Sequence, residues 1–413
     1  DPLWSRGLGD VYKRQTLTGA IGVAQGTLRA GGGAINTASG VRIDSGATLA
    51  LTSAASIASL TGAGTLQSGS ALTLGNGSDS IFGGVLAGTG STTKVGTGTL
   101  TLAGANTQSG VFDINGGRVN LTGSLGSSTV NVNGAGSSLA GTGIASGNVF
   151  IKNGGNLYVS SANTGGLTLG SLSVDGASSI NADLGAPYSG SLINVNGNVT
   201  LNGSINVTQL PGFGVGVYRI VSYQGTGMTT GLTLANASPT FSLQTGLAGQ
   251  INVLNQSQAN EIQIWQGSSG TWNGTNANWA NATTLAAEAW GGRFGVFQGP
   301  VSTVTVDATS NLQFQGLQFS TDGYIVSGGT LTAVNGSDGV TTLRVEPNVT
   351  ATLGSTLAGT DVTLAKRDAG TLILTGANTY TGTTRLEGGV LQINDDTQLG
   401  ATANGVALSL IHI

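Results

Sequence analysis

The sequence predicts an all-β protein built as a right-handed parallel β-helix, an elongated β-solenoid. Three observations carry that expectation. Short strand-like runs closed by Gly or Asn-Gly recur along the 413 residues; only 8% of the residues are charged; and one phrase occurs twice, as GTLTLAGANTQSG at 98–110 and GTLILTGANTYTG at 370–382.

The runs come first. TLTLAG, VFDINGG, RVNLTG, TVNVNG, NVFIKNGG, NLYVSS, LINVNG, NVTLNG and SINVTQ alternate in character, the period of a strand with one buried face. Val130 and Val132 share one face while Asn131 and Asn133 share the other; Ile193, Val195, Val199 and Leu201 repeat the scheme. Asn-Gly between such runs ordinarily signals an antiparallel hairpin. Here the unit recurs for hundreds of residues without the helical crossovers of a doubly wound sheet, which favours coils of about three short strands, very roughly 20 residues each. Inward Leu, Val and Ile then stack from coil to coil, and Gly and Asn turn the corners.

The low charge follows from the same geometry. Equivalent outward residues lie one strand spacing apart, so a column of like charges repels at every step, whereas Thr, Ser and Asn columns hydrogen-bond. With 72 Gly but 38% hydrophobic residues and no strict Gly-X-Y period, collagen and charge-driven disorder are both excluded. A net charge of −4 with no basic run offers nothing to a phosphate backbone, so no nucleic-acid partner, DNA included, is expected. There is no cysteine, so the fold is held by its own core without disulfides.

Both ends break this texture. DPLWSRGLGDVYKRQ (1–15) is dense in charge and LSLIHI (408–413) is apolar; each resembles translated adapter sequence, and 1–15 and 409–413 are set aside as non-native. His412, the chain's single histidine, goes with them.

KVGTGTLTLAGANTQSGVFDINGGRVNL from Lys94 and KRDAGTLILTGANTYTGTTRLEGGVLQI from Lys366 keep Lys, GTL.L, GANT and a Gly-Gly in register. They resemble the autotransporter-associated β-strand repeat of bacterial passenger domains. The first copy departs at Gln108, Val111 and Phe112. YRIVSYQGTG is similar to the strand pair that closes a passenger segment, and TWNGTNANWA with FGVFQGPVSTVTV is similar to the module preceding the next repeat. The resemblance implies a type V secreted passenger, exported from a Gram-negative bacterium through an outer-membrane translocator barrel that is not in these residues, and displayed as a cell-surface β-helical stalk or adhesin. Host or neighbouring-cell glycans or proteins are the partners it implies. The organisation expected is a β-helical segment at 16–255 with its repeat at 94–121, a Trp-rich inter-segment module at 256–300, and a second β-helical segment at 301–408 with its repeat at 366–393.

Candidate chemistry is sparse. Without histidine in the body or any cysteine, a catalytic triad or His/Cys metal site has no members, and neither catalytic residues, metal ligands nor cofactors are expected. The alternative is a secreted β-helical enzyme acting on polysaccharide through carboxylates in a groove. Its acids are scattered singly, however, and Asp395-Asp396, if in a strand, point to opposite faces. GNGSDS (75–80) and NGSDG (335–339) are read as surface turns rather than calcium sites, because single copies bring too few oxygen ligands together. The remaining candidates are aromatic. Trp272, Trp279 and Trp290, with Trp265, are weighed as a sugar-stacking platform against a hydrophobic plug between the two repeat-bearing halves. The plug is favoured, with residues 285–290 forming a short packed turn or helix.

Overall fold

The computed structural model describes residues 19–408, apart from 164, 187–189, 237, 239, 257–260, 268–269 and 403. The proposed leader, the proposed tail and His412 therefore lie outside the described residues. The described residues fall into two compact units, one within Asp1–Tyr158 and Leu167–Ser179, the other within Val159–Gly166 and Ile180–Ile413.

The first unit is a parallel β-solenoid. Ala20–Val23, Gly40–Ile43, Leu60–Gly62, Ser80–Phe82, Thr99–Leu102, Gly117–Leu121 and Ser137–Gly141 form one sheet in which each strand follows its predecessor by one coil. The register shows the coil length directly: Ala20 lies opposite Gly40, Leu74 opposite Lys94, and Lys94 opposite Ile114. Alternation sets the faces. In Thr99–Leu102 the threonines are half-buried and outward, while Leu100 and Leu102 are buried, as Val119 and Leu121 are one coil on. No strand here can persist alone, since its inward side chains are covered only by those of neighbouring coils. Among the described residues of this unit, helix is limited to Gly32–Ile35.

The outward columns hydrogen-bond as their composition requires. Asn131 Nδ2 donates to Asp113 Oδ1 at 2.8 Å, Asn153 Nδ2 donates to Asn133 Oδ1 at 2.7 Å, and Ser171 Oγ donates to Asn148 Oδ1 at 2.8 Å.

The second unit contains coils of the same kind and one departure from them. Gly216–Tyr223 runs parallel to Ile193–Val195 but antiparallel to Gln250–Asn255, which is in turn antiparallel to Phe241–Gln244. The chain then returns through Ile262–Trp265, antiparallel to Trp279–Asn281 and parallel to Phe294–Phe297. From there Gly316–Phe319, Thr341–Val345, Val362–Arg367, Gly382–Leu386 and Gly405–Leu408 stack in parallel. A uniformly parallel coil does not anticipate this short antiparallel stretch, although YRIVSYQGTG does supply its strand.

Residues 285–290 contain no helix. Asn281 Oδ1 accepts from the backbone N–H of Thr283 and Thr284, Leu285 turns at φ 59°, and Ala287–Glu288 pairs antiparallel with Trp279–Asn281. An Asx turn leading into a hairpin prevails over the helix propensity of Leu-Ala-Ala-Glu-Ala, because the strand partner is already in place. Asp395-Asp396 are not in a strand either. Asp395 caps the 3-10 turn Asp396–Leu399 through a capping box with Gln398.

Candidate functional site

Three features of the structure hold polar or aromatic groups where a plain solenoid has none: the repeated phrase, the tryptophans, and a charged cleft.

In the repeated phrase the lysine points inward. Lys94 occupies the interior column between Leu74 and Ile114, and Lys366 the column between Leu343 and Leu386. Each ammonium is held by three carbonyls. Lys94 Nζ donates to Val95, Gly96 and Gly116 at 2.8, 3.2 and 3.1 Å, and Lys366 Nζ to Arg367, Asp368 and Gly388 at 2.9, 2.8 and 2.9 Å. The third carbonyl belongs to the next coil, so the lysine ties one rung to the following one. Burial lowers the pKa of both, with Asp79 opposing the shift at Lys94; Lys366 is brought down to about 8, with Asp368 opposing.

The asparagine of GANT completes the tie. Asn106 Oδ1 accepts from Leu86 N–H at 2.8 Å while its Nδ2 donates to Ser124 O at 2.9 Å, spanning three successive coils. Asn378 does the same between Leu357 N–H, at 2.7 Å, and Gln398 O, at 2.6 Å. The glycine two residues earlier is obligatory for a steric reason: a Cβ on Gly104 or Gly376 would strike the carbonyl of Gly84 or Ser355 in the preceding coil. Where the copies differ, the interior compensates. Gln108 and Phe112 in the first become Tyr380 and Thr384 in the second, exchanging which position carries the ring; all four are buried.

The candidate tryptophans are buried. Trp272 and Trp279 have no exposed surface, and Trp290 is 8% exposed. Trp272 lies 5.0 Å from both Trp279 and Trp290, and Trp279 lies 5.2 Å from Trp265 and 5.4 Å from Phe297, mostly edge to face. Trp290 Nε1 donates to Gln313 O at 2.7 Å. The ring faces meet one another and the core that continues through Phe314, Leu331 and Leu372, so none is presented to a sugar ring.

The third feature, the charged cleft, has no counterpart among the motifs of the sequence. The chain has only 14 Lys and Arg and 18 Asp and Glu, yet Asp338, Arg367, Asp368, Arg385 and Glu387 line one cleft of the second unit, with Arg344 paired to Asp368 beneath it. Arg344 and Arg367 are register partners on adjacent strands, a like-charged pair that a neutral column avoids. Arg344 is fully buried. Its Nη1 donates to Asp368 Oδ1 at 2.9 Å, its Nε to Val215 O at 3.1 Å and its Nη2 to Gly212 O at 3.0 Å. Burial alone would lower its pKa, but the Asp368 carboxylate reverses that and holds it above the usual range. Gln318 fastens the same segment, donating to Val217 O and accepting from Val217 N–H, both at 2.9 Å. Glu346 Oε1 accepts from Gln318 Nε2 at 2.8 Å and from Ser320 Oγ. Burial pushes Glu346 up to about 7, against the pull of Ser320, Gln318 and Arg219.

Beyond Arg344 the covering segment ends, and a cleft of about 1020 Å³ opens over Arg367, Arg385 and Glu387, with Phe213, Asn255 and Asp338 on its walls. Arg367 Nε donates to Glu387 Oε2 at 2.8 Å, and its Nη1 lies 3.3 Å from Asp338 Oδ2. The signal in the sequence was present as an excess of charge at 338–387. Its meaning was hidden because the partners at 212–217 lie over 100 positions away.

No helix among the described residues is long and apolar enough to cross a membrane, and no group of three or more acidic or histidine side chains among them is placed to hold a metal ion. In the turns compared with calcium loops, Asp79 Oδ1 accepts from Thr99 N–H at 2.7 Å and Asp338 pairs with Arg367.

The two copies of this coil-locking phrase fall in a known repeat class: residues 93–121 and 364–393 match the passenger-associated-transport-repeat family. Over 247 residues, 52% of this chain, the sequence is 35% identical to the adhesin BmaC autotransporter of Brucella suis biovar 1 (strain 1330). The aligned part is 7% of that protein's length.

Proposed function

We propose that the chain is a segment of a cell-surface passenger that acts as a non-catalytic stalk and adhesive element, delivered through an outer-membrane translocator barrel of a Gram-negative bacterium. The observation that carries this reading is the use made of the repeat. Its lysine, asparagine and glycines are spent entirely on joining coils, and the segment aligned with a protein named an adhesin extends well beyond the repeats. The carboxylates support the absence of catalysis. At the cleft, Asp368 is committed to Arg344, Asp338 and Glu387 to Arg367, and Glu346 is fully enclosed, so these four carboxylates do not form an unpaired acid and base there. On this reading residues 256–300 are a Trp-sealed junction between β-helical segments at 16–255 and 301–408, and Trp272, Trp279 and Trp290 serve packing rather than ligand binding.

The test is to display residues 16–408 on a non-adherent Gram-negative host through a translocator barrel. Protease added to intact cells should release the segment, and attachment to host-cell or bacterial surfaces should exceed that of cells carrying the barrel alone. A segment that resists release, or confers no attachment, contradicts the proposal, as does turnover of any polysaccharide by the purified chain.

A further inference from the structure

The charged cleft breaks the rule that governs the rest of the surface. Its register-paired arginines carry an electrostatic cost that a Thr or Asn column would avoid, and the buried pair beneath it carries a desolvation cost as well. Part of this charge is used to fasten residues 212–217. The remainder is not needed for that: Arg385 is exposed and has no partner among the described residues, and the Asn255 side-chain amide has none either.

The groups left facing the cleft have a definite chemical character. Phe213 is a fixed apolar plate, backed by Tyr218 at 4.8 Å and by Phe241 at 5.5 Å, edge on. Glu387 and Asp338 are held in place by Arg367, so their remaining oxygens are preorganised acceptors. Arg385 is a free planar fork, suited to a single carboxylate. A dense polyanion does not fit, because the carboxylates of Asp338 and Glu387 line the same cleft as the uncommitted Arg385. A purely apolar ligand does not fit either, since it would leave Arg385, Glu387 and Asp338 in the same lining without a polar partner from the ligand.

We infer that this cleft binds an acidic oligosaccharide, with a pyranose ring against Phe213, its carboxylate on Arg385, and its hydroxyls shared among Asn255, Ser337 and the outer oxygens of Glu387. The assignment deepens the adhesive reading above and rests on it for its setting, but its chemistry stands or falls separately.

The whole chain is titrated calorimetrically with oligosaccharides bearing uronate or sialate carboxylates, and with the same saccharides as methyl esters. Binding is expected for the free acids, weaker in raised salt, and about tenfold or more weaker for the esters. Arg385→Gln should weaken the acids by a similar factor while leaving the esters unchanged. Phe213→Ala should weaken both, and Arg42→Gln, at an exposed position in the first unit, neither. Equal affinity for acid and ester, an Arg385→Gln variant that binds like the parent, or no binding to any saccharide would overturn the assignment. If cells displaying the chain still attach in that last case, the cleft is ruled out and the adhesive reading stands; if attachment is also absent, both fail.

Discussion

Replacing Glu346 by Gln should stabilise the second unit at neutral and alkaline pH and have little effect below pH 5. The carboxyl is enclosed, and both hydrogen bonds recorded for it converge on Oε1, from Gln318 Nε2 and Ser320 Oγ. A Gln oxygen can accept the same two bonds without carrying a charge. The charged groups that act on it are Arg219, which favours ionisation, and Asp368, which opposes it, with Arg344 coupled to the same network. Burial raises the group from 4.5 to about 7. A carboxyl raised on folding contributes its stability below the unfolded pKa and loses it as pH climbs through the folded one. The parent should therefore lose about 3 kcal/mol between pH 4.5 and pH 7 relative to the Gln variant, and nothing more above that. The assay is denaturant unfolding of both proteins from pH 4.5 to 8.5, with amide exchange at Gly216–Tyr223 as the local reporter, because that strand is fastened through Gln318. Taking the difference between the two proteins cancels the other titrating groups. Parallel stability profiles would show that Glu346 is solvated or paired in a way that the enclosure described here does not allow.

Leu100→Asp or Leu372→Asp should each cost several kcal/mol, since both side chains are buried in stacked columns and an unpaired charge would enter them; limited proteolysis should show cleavage near the altered coil, and unchanged resistance would place these leucines outside the core. Lys94→Met should destabilise by about 2 kcal/mol by leaving the Val95, Gly96 and Gly116 carbonyls without their shared donor, with a lower melting temperature as the readout. Trp279→Ala should cost about 3–5 kcal/mol through the cavity left among Trp265, Trp272 and Phe297, measured by denaturant midpoint; an effect under 1 kcal/mol would mean the cluster is loosely packed.

Much of the architecture could be read directly from residue types. The alternation in VNVN and TLTL places the inward side chains correctly, and the scarcity of charge correctly implies stacked outward columns of Thr, Ser and Asn. The repeats at Lys94 and Lys366 were recognisable as units, yet the role of the lysine was not, because a cation in an aliphatic column contradicts the simple inside-outside rule. It is tolerated only where three carbonyls converge, which is a property of the corner and not of the lysine. The cleft was least legible. Arg344, Glu346 and Asp368 stand in a stretch visibly richer in charge than the rest, but nothing nearby in sequence explains it, because the carbonyls and the amide that complete their site come from 212–217. Residues 285–290 mislead for a related reason, since local propensity favours a helix while the neighbouring strand offers a hydrogen-bonding edge.

The asparagine of the repeated phrase contacts the coil before it, its own coil and the coil after it, and the lysine fixes the corner that follows. Together they act as an index mark for the winding. A strand that slips by one residue turns its oily side chains outward, and a lattice of near-identical short rungs is unusually exposed to that error. Inserting one residue between Asn106 and Asn378 should therefore be far more damaging than inserting an entire turn of the spiral. Such a chain can grow or shrink by whole turns over generations while each mark keeps its neighbourhood in step.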